Sequence, residues 1–163
     1  METIASFTVD HMRLLPSLYV SRRDRLGDEG GIVTTFDIRM TRPNFEPVMN
    51  TAEMHAIEHL GATFLRNHPV YGNRVVYFGP MGCRTGFYLL LAGDMTSEEA
   101  APLVTEMMDF ICGYEEEIPG ASAKECGNYL DLNLNTAKYW ANRYRTEVLG
   151  HLTPERLRYP EAE

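Results

Sequence analysis

An α+β fold, a mostly antiparallel sheet with helices packed on it, is what this 163-residue sequence predicts. Three observations carry that expectation. Short segments in the first part of the chain alternate apolar and polar residues or are rich in β-formers. Three longer segments carry helical spacing and bring their own start signals. The gaps between the short segments are too irregular for repeating βαβ units, which argues against a parallel sheet. The length suits one domain over residues 1–163.

Taken in order, residues 18–20 (Leu-Tyr-Val) form a first strand, and residues 21–31, charged and then glycine-rich, read as a turn. Residues 32–40 alternate: Ile32, Thr34, Phe36, Ile38 and Met40 share one face, and Val33, Thr35, Asp37 and Arg39 the other, as in a half-buried strand. Pro43 and Pro47 close it off. A helix over residues 51–67 starts at Asn50 with Glu53 in the capping-box position. Residues 75–78 and 85–91 are short runs of β-formers separated by Gly79-Pro80-Met81-Gly82-Cys83, two buried strands around a tight connection. A second helix begins at Thr96 with Glu99 as its capping partner and stops at Gly113. Ala100, Leu103, Val104, Met107, Phe110 and Ile111 form its apolar stripe. A third helix covers residues 135–149, with Ala137, Trp140, Tyr144 and Val148 as its stripe.

Composition narrows the function. Hydrophobic residues at 44% and aromatics at 10% supply a core and exclude a disordered chain. The 15 Lys and Arg against 23 Asp and Glu give a net charge of −8, which disfavours nucleic acid and anionic membranes as partners. No apolar run approaches the roughly 20 residues of a membrane span. Met1 to Ser6 lacks the basic and apolar regions of a secretory signal, so a cytoplasmic, reduced protein is expected. Three cysteines, Cys83, Cys112 and Cys126, are too few for a disulfide scaffold.

The chemistry concentrates in His55-Ala56-Ile57-Glu58-His59. Two histidines one helical turn apart can reach one tetrahedral cation. They lie at the edge of an apolar arc made by Met54, Ile57, Gly61, Phe64 and Leu65, and Glu58 sits between that edge and the core. Glu58 is therefore placed to act as a base beside a metal without ligating it. The same H-x-x-E-H spacing occurs in inverted-zincin peptidases, so it implies a metal and leaves the reaction open. Cys126, in Glu125-Cys126-Gly127-Asn128-Tyr129, is a candidate third ligand that leaves a fourth position free, although an isolated cysteine is more often simply buried. Cys83, between glycines and followed by Arg84, is a candidate nucleophile or acid/base. Cys112, ending an apolar helix, reads as core.

Together these residues resemble the S-ribosylhomocysteine lyase family, the enzymes that produce autoinducer-2. The resemblance spans nearly the whole chain. It rests on Ser6-Phe7-Thr8-Val9-Asp10-His11, Phe36-Asp37-Ile38-Arg39, His55 to Leu60, Pro80 to Tyr88 and Glu125 to Tyr129, in that order. It implies a homodimer with a four-stranded antiparallel sheet and sites at the subunit interface. Fe²⁺, for which Zn²⁺ or Co²⁺ can substitute, would be held by His55, His59 and Cys126. Cys83 and Glu58 would be the acid/base pair, and Ser6, His11 and Arg39 would contact substrate from the other subunit. The implied reaction moves the carbonyl of a ring-opened ribose from C1 to C3 and then expels homocysteine by β-elimination, leaving 4,5-dihydroxy-2,3-pentanedione. Tyr77 departs from the pattern: many relatives carry an Asp there, six residues before the cysteine, facing the homocysteine end of the substrate. Two other readings fit parts of the chain. A small metallopeptidase would use Glu as third ligand and leave Cys83 idle. A metal-storage module would close the site with Cys83 as the fourth ligand.

Overall fold

A computed structural model describes residues 7–28 and 30–160. Its sheet has four strands, β1 (Ser17–Arg25), β2 (Ile32–Arg39), β3 (Val75–Pro80) and β4 (Gly86–Ala92), in the order β1-β2-β4-β3 with every pair antiparallel. Three helices accompany it: α1 (Thr51–Asn67), α2 (Ser97–Gly113) and α3 (Leu134–Glu147). The α+β expectation holds, as a single domain.

The helices start where their side chains satisfy orphan backbone donors. At α1 the Asn50 N–H donates to Glu53 Oε1 at 2.6 Å. At α2 Thr96 and Glu99 exchange hydrogen bonds of 2.8 and 3.2 Å, the full capping box. The helices bury Ala56, Ile57 and Leu60 of α1, Leu103, Val104 and Met107 of α2, and Ala137, Ala141 and Tyr144 of α3 against Leu18, Phe36, Ile38, Phe87 and Leu89 of the sheet. Each large apolar side chain so buried stabilises the fold by about 1.5–3 kcal/mol. Gly61 faces this layer: a Cβ there would stand 2.5 Å from the Phe78 ring and 3.1 Å from Met107 Sδ, so its absence lets α1 close onto the sheet.

Three expectations are corrected. The first strand runs to Arg25, taking in the charged residues 22–25 that read as turn. It lies at the sheet edge, where charge is tolerated. Arg22 pairs with Asp24 and Arg23 with Asp94, each at 2.6 Å, and the pairing slips one residue between Val20 and Arg22. The connection to β2 is closed by Leu26 N–H to the Gly31 carbonyl at 3.0 Å. Second, β2 is not half-buried: Thr35, Asp37 and Arg39 on its polar face are buried as completely as Phe36 and Ile38. The C-terminal segment covers that face. Tyr159 stacks on Tyr19 of β1 with ring centroids 4.8 Å apart, and its hydroxyl donates to Asp37 Oδ2 at 2.8 Å. Third, the last helix ends at Glu147 and gives way to short 3₁₀ turns, Leu149–His151 and Pro154–Leu157, which steer the chain back to β1. Trp140 is only half-buried, its indole N–H donating to Glu53 at 2.8 Å, and Cys112 is likewise only half-buried at the core margin.

Candidate active site

His55 and His59 stand half-buried on α1, their rings 4.6 Å apart, and Cys126 comes to them from the segment 114–133. One ligand atom from each lies within 4.8 Å of the others. The same segment fixes both rings. His55 Nδ1 meets the Asp131 carbonyl at 2.9 Å and His59 Nδ1 the Pro119 carbonyl at 2.7 Å. A carbonyl only accepts, so each Nδ1 donates and Nε2 is the ring nitrogen left to serve as a ligand. Cys126 Sγ sits 3.3 Å from His55 Nε2 and receives the Asn128 N–H at 3.4 Å. Two imidazoles and a cysteine sulfur, each with a backbone partner, form a donor set suited to Fe²⁺, Co²⁺ or Zn²⁺.

Local sequence explains why the segment reaches α1. Ala121 N–H donates to the Ile118 carbonyl at 3.1 Å, with Pro119 second and Gly120 at φ +73° third, the requirements of a type II turn. A Cβ on Gly120 would stand 3.3 Å from His59 Nδ1. The Cys126 N–H donates to the Ser122 carbonyl at 2.9 Å, and Asn133 N–H ties the far end to the Ala52 carbonyl at 3.1 Å. Glu58, half-buried beside the histidines on α1, has no hydrogen-bond or ionic partner among the described residues, which leaves its carboxylate available for proton transfer.

Cys83 belongs to a different group. The turn joining β3 to β4 is held by Arg84 N–H to the Met81 carbonyl at 2.9 Å and by Met49 N–H to the Arg84 carbonyl at 3.2 Å. Arg84 takes φ +61°, an uncommon geometry for a residue with a Cβ, and the turn leaves Cys83 exposed. The cation at Cys83 is Arg39 rather than Arg84: Nη1 lies 3.8 Å from Sγ and donates to Thr85 Oγ1 at 2.6 Å, while Thr85 Oγ1 is 3.1 Å from Sγ. Arg39 Nη2 donates to Asp37 Oδ2 at 2.6 Å, a pair that is 3% and 0% exposed. Burial pushes the Asp37 carboxyl up, opposed by Arg39, Tyr159 and His11. Burial disfavours the Arg39 charge, and Asp37 outweighs it, so the guanidinium remains cationic. His11 Nδ1 donates to the Val9 carbonyl at 2.8 Å. Ser6 lies outside the described residues.

One chain therefore assembles two half-constellations. His55, His59 and Glu58 sit on α1, with Cys126 beside the two histidines. Cys83, Arg39 and His11 gather at the opposite, Asp37-bearing face of the sheet. Cys83 is not among the residues grouped with His55 and His59, whereas a storage site would use it as a ligand. The side chain beside the two histidines is a cysteine, not the carboxylate a peptidase would use. Asp37, Thr85 and Tyr159 escaped the sequence reading; the alternation at Asp37 signalled a solvent-facing residue, and only the returning tail contradicts it. Tyr77, half-exposed on edge strand β3, folds its hydroxyl end over Gly79.

Known proteins match this chain along its length. The family model described as S-ribosylhomocysteinase (LuxS) matches residues 4–155. This chain belongs to the S-ribosylhomocysteine lyase family. Proteins named S-ribosylhomocysteine lyase from Clostridium beijerinckii and Clostridium acetobutylicum are 62% and 60% identical to it, covering 98% and 99% of this chain and 99% and 100% of their own. One from Finegoldia magna is 58% identical over 99% of this chain and all of its own. S-ribosylhomocysteine lyases are carbon–sulfur lyases, and membership sets the histidine–cysteine cluster in an enzyme family. Among the described residues, no helix of this family member is long and apolar enough to cross a membrane.

Proposed function

We propose that this protein cleaves S-ribosylhomocysteine to homocysteine and 4,5-dihydroxy-2,3-pentanedione, the autoinducer-2 precursor, as a cytoplasmic homodimer with one Fe²⁺ per subunit. The observation that carries the reading is the His55–His59–Cys126 cluster with both Nδ1 atoms tied to carbonyls, in a chain of this family. A divalent ion there supplies Lewis acidity toward the carbonyl of the open-chain sugar, which acidifies the adjacent C–H.

The chain's residues then have distinct tasks. Cys83 as thiolate accepts the carbon-bound proton and returns it to the neighbouring carbon. Glu58 carries protons between the two sugar oxygens, so that the aldehyde at C1 becomes a ketone at C2 and then at C3. With the carbonyl at C3, removal of the C4 proton expels homocysteine from C5, and ketonisation of the resulting enol completes the dione. No electrons are gained or lost and no water is consumed. Arg39, His11 and Ser6 are proposed substrate contacts; Arg39 also keeps a positive charge beside the Cys83 sulfur.

The placement of the two half-constellations supports a dimer in which one copy completes the other's site. So do the large apolar side chains left exposed, Phe7 at 75%, Met12 at 55% and Leu130 at 81%. Two concavities among the described residues, of about 300 and 420 Å³, are lined by none of His55, His59, Cys126 and Cys83. The three cysteines, all free, accord with a reducing compartment.

The test is thiol release from S-ribosylhomocysteine by protein purified anaerobically with Fe²⁺ or Co²⁺, with metal content and molar mass measured alongside. Steady release, lost in a Cys83→Ala variant that keeps its metal, is expected. A fully metallated wild type that releases no thiol would overturn the proposal.

A further inference from the structure

We propose that Tyr159 is a positioning residue for Cys83, acting through Asp37 and Arg39. The C-terminal segment, folded back over the sheet, sets the direction in which Arg39 presents its guanidinium to the thiol. For its effect on turnover this rests on the role given to Cys83 above; for its effect on thiol reactivity it does not.

The relay can be followed atom by atom. Asp37 lies on a central strand, wholly buried. Its Oδ2 takes both hydrogen bonds the carboxylate receives, from Arg39 Nη2 at 2.6 Å and from the Tyr159 hydroxyl at 2.8 Å. Its Oδ1 is buried without a partner among the described residues. Among the described residues Tyr159 is thus one of two donors that favour the charge on this carboxylate in a site where burial works against it. Arg39 Nε is also buried without a partner among the described residues, within which two anchors orient the guanidinium: Asp37 at Nη2 and Thr85 at Nη1. Those anchors turn Nη1 toward Cys83 Sγ. If the carboxylate loses a donor and takes up a proton, it no longer attracts Nη2, and the fork can swing away from the sulfur.

The near end of the relay is itself held. Tyr159 is stacked on Tyr19, whose hydroxyl donates to the Leu15 carbonyl at 2.9 Å, and Ser17 Oγ donates to the Arg156 carbonyl just upstream. The other groups facing Asp37 are phenols, Tyr19, Tyr88 and Tyr144, together with His11. Across the sheet Tyr19 and Tyr88 stand directly opposite Asp37 on either side. Among these neighbours only Tyr159 donates a hydrogen bond to Asp37 from outside the sheet.

The experiment measures iodoacetamide labelling of Cys83 by peptide mass spectrometry, in Zn²⁺-loaded full-length protein so that Cys126 is shielded. In Tyr159→Phe, which keeps the ring and its stack, the labelling rate at neutral pH should fall by about three- to tenfold and approach wild type at alkaline pH, because an oriented cation promotes thiolate reactivity. Metal content should be unchanged, and kcat for thiol release should fall by a similar factor with KM altered less than about twofold. Tyr19→Phe, which also keeps the stack, should label like wild type. Asp37→Asn, of the same shape without the charge, should reproduce the Tyr159→Phe profile and provides the reading if that variant folds poorly. A folded Tyr159→Phe or Asp37→Asn protein whose Cys83 labels with the wild-type pH profile overturns the relay. Slowed labelling with undiminished turnover upholds the relay and overturns the acid/base role of Cys83.

Discussion

Gly120→Ala perturbs the proposed metal ligands without replacing one. Residue 120 has φ +73°, a left-handed conformation that costs a residue with a Cβ about 1–2 kcal/mol. The new methyl would stand 3.3 Å from His59 Nδ1 and 3.4 Å from Cε1, so ring and turn must part by a few tenths of an ångström. That movement works against the 2.7 Å bond from His59 Nδ1 to the Pro119 carbonyl. Losing such an orienting partner typically weakens metal binding by about 10- to 100-fold. A mid-range 30-fold loss removes about 2 kcal/mol of the stabilisation that saturating metal confers on the folded state. The variant should therefore be less stable than wild type by about 1–2 kcal/mol without metal and by about 3–4 kcal/mol with it. Urea unfolding of both forms and chelator competition with Co²⁺ or Zn²⁺ measure the two quantities separately. Gly127→Ala in the same segment, where an added Cβ meets nothing within 4 Å, is the control and should match wild type in both. Equal destabilisation with and without metal, together with unchanged affinity, would refute the claim that the Pro119 carbonyl orients His59.

Three further outcomes follow from the same geometry. Cys126→Ser should lower affinity for Zn²⁺ and Co²⁺ by at least about tenfold, since a hydroxyl at neutral pH stays protonated and ligates poorly; equilibrium dialysis measures it. Leu60→Ala, at a fully buried position of α1, should cost about 2–5 kcal/mol in urea unfolding while the folded fraction binds metal as before. Stability should also fall above pH 10. The Tyr144 phenol is held well above its ordinary value of 10.0, chiefly by burial and then by Asp37 and Tyr19. Below pH 10 it is protonated in both states and its contribution is complete. Above that, the unfolded chain releases the proton first, so stability declines by about 1.4 kcal/mol per pH unit for this phenol alone. Urea midpoints at pH 9, 10 and 11 should show the decline, and Tyr144→Phe should lessen its slope while the other raised phenols, Tyr19, Tyr88 and Tyr159, sustain the rest.

The sequence was legible where a local signal had a local consequence. Asn50 with Glu53 and Thr96 with Glu99 announce the first turns of α1 and α2, and those boxes form. The i, i+4 spacing of His55 and His59 sufficed to pair them, because one helix carries both. The third ligand could be suspected and not placed: Cys126 reaches α1 only through the turn at Pro119-Gly120 and the tether from Asn133 to Ala52. The orienting groups for both histidines are backbone carbonyls, which have no residue signature at all. The largest misreading lay at Asp37 and Arg39. Alternation marks a strand's polar face correctly, and it assumes that the polar face meets water. Here a tail more than a hundred positions away in sequence covers that face, and a single tyrosine hydroxyl completes the carboxylate's partners. Arg22 to Arg25 misled for the converse reason: at a sheet edge, charge and strand are compatible.

Both outer strands carry a register slip, in β1 between Val20 and Arg22 and in β3 between Val75 and Tyr77. On β1 the slip adjoins the charged run Arg22-Arg23-Asp24-Arg25, and β3 ends in a proline that has no N–H to offer. Neither rim offers the straight ladder of donors and acceptors onto which a foreign strand could dock, so the sheet is finished at four strands. Copies of this molecule that meet must do so through faces and loops rather than by zippering backbones. Crowding at high concentration is accordingly steered away from fibrous growth.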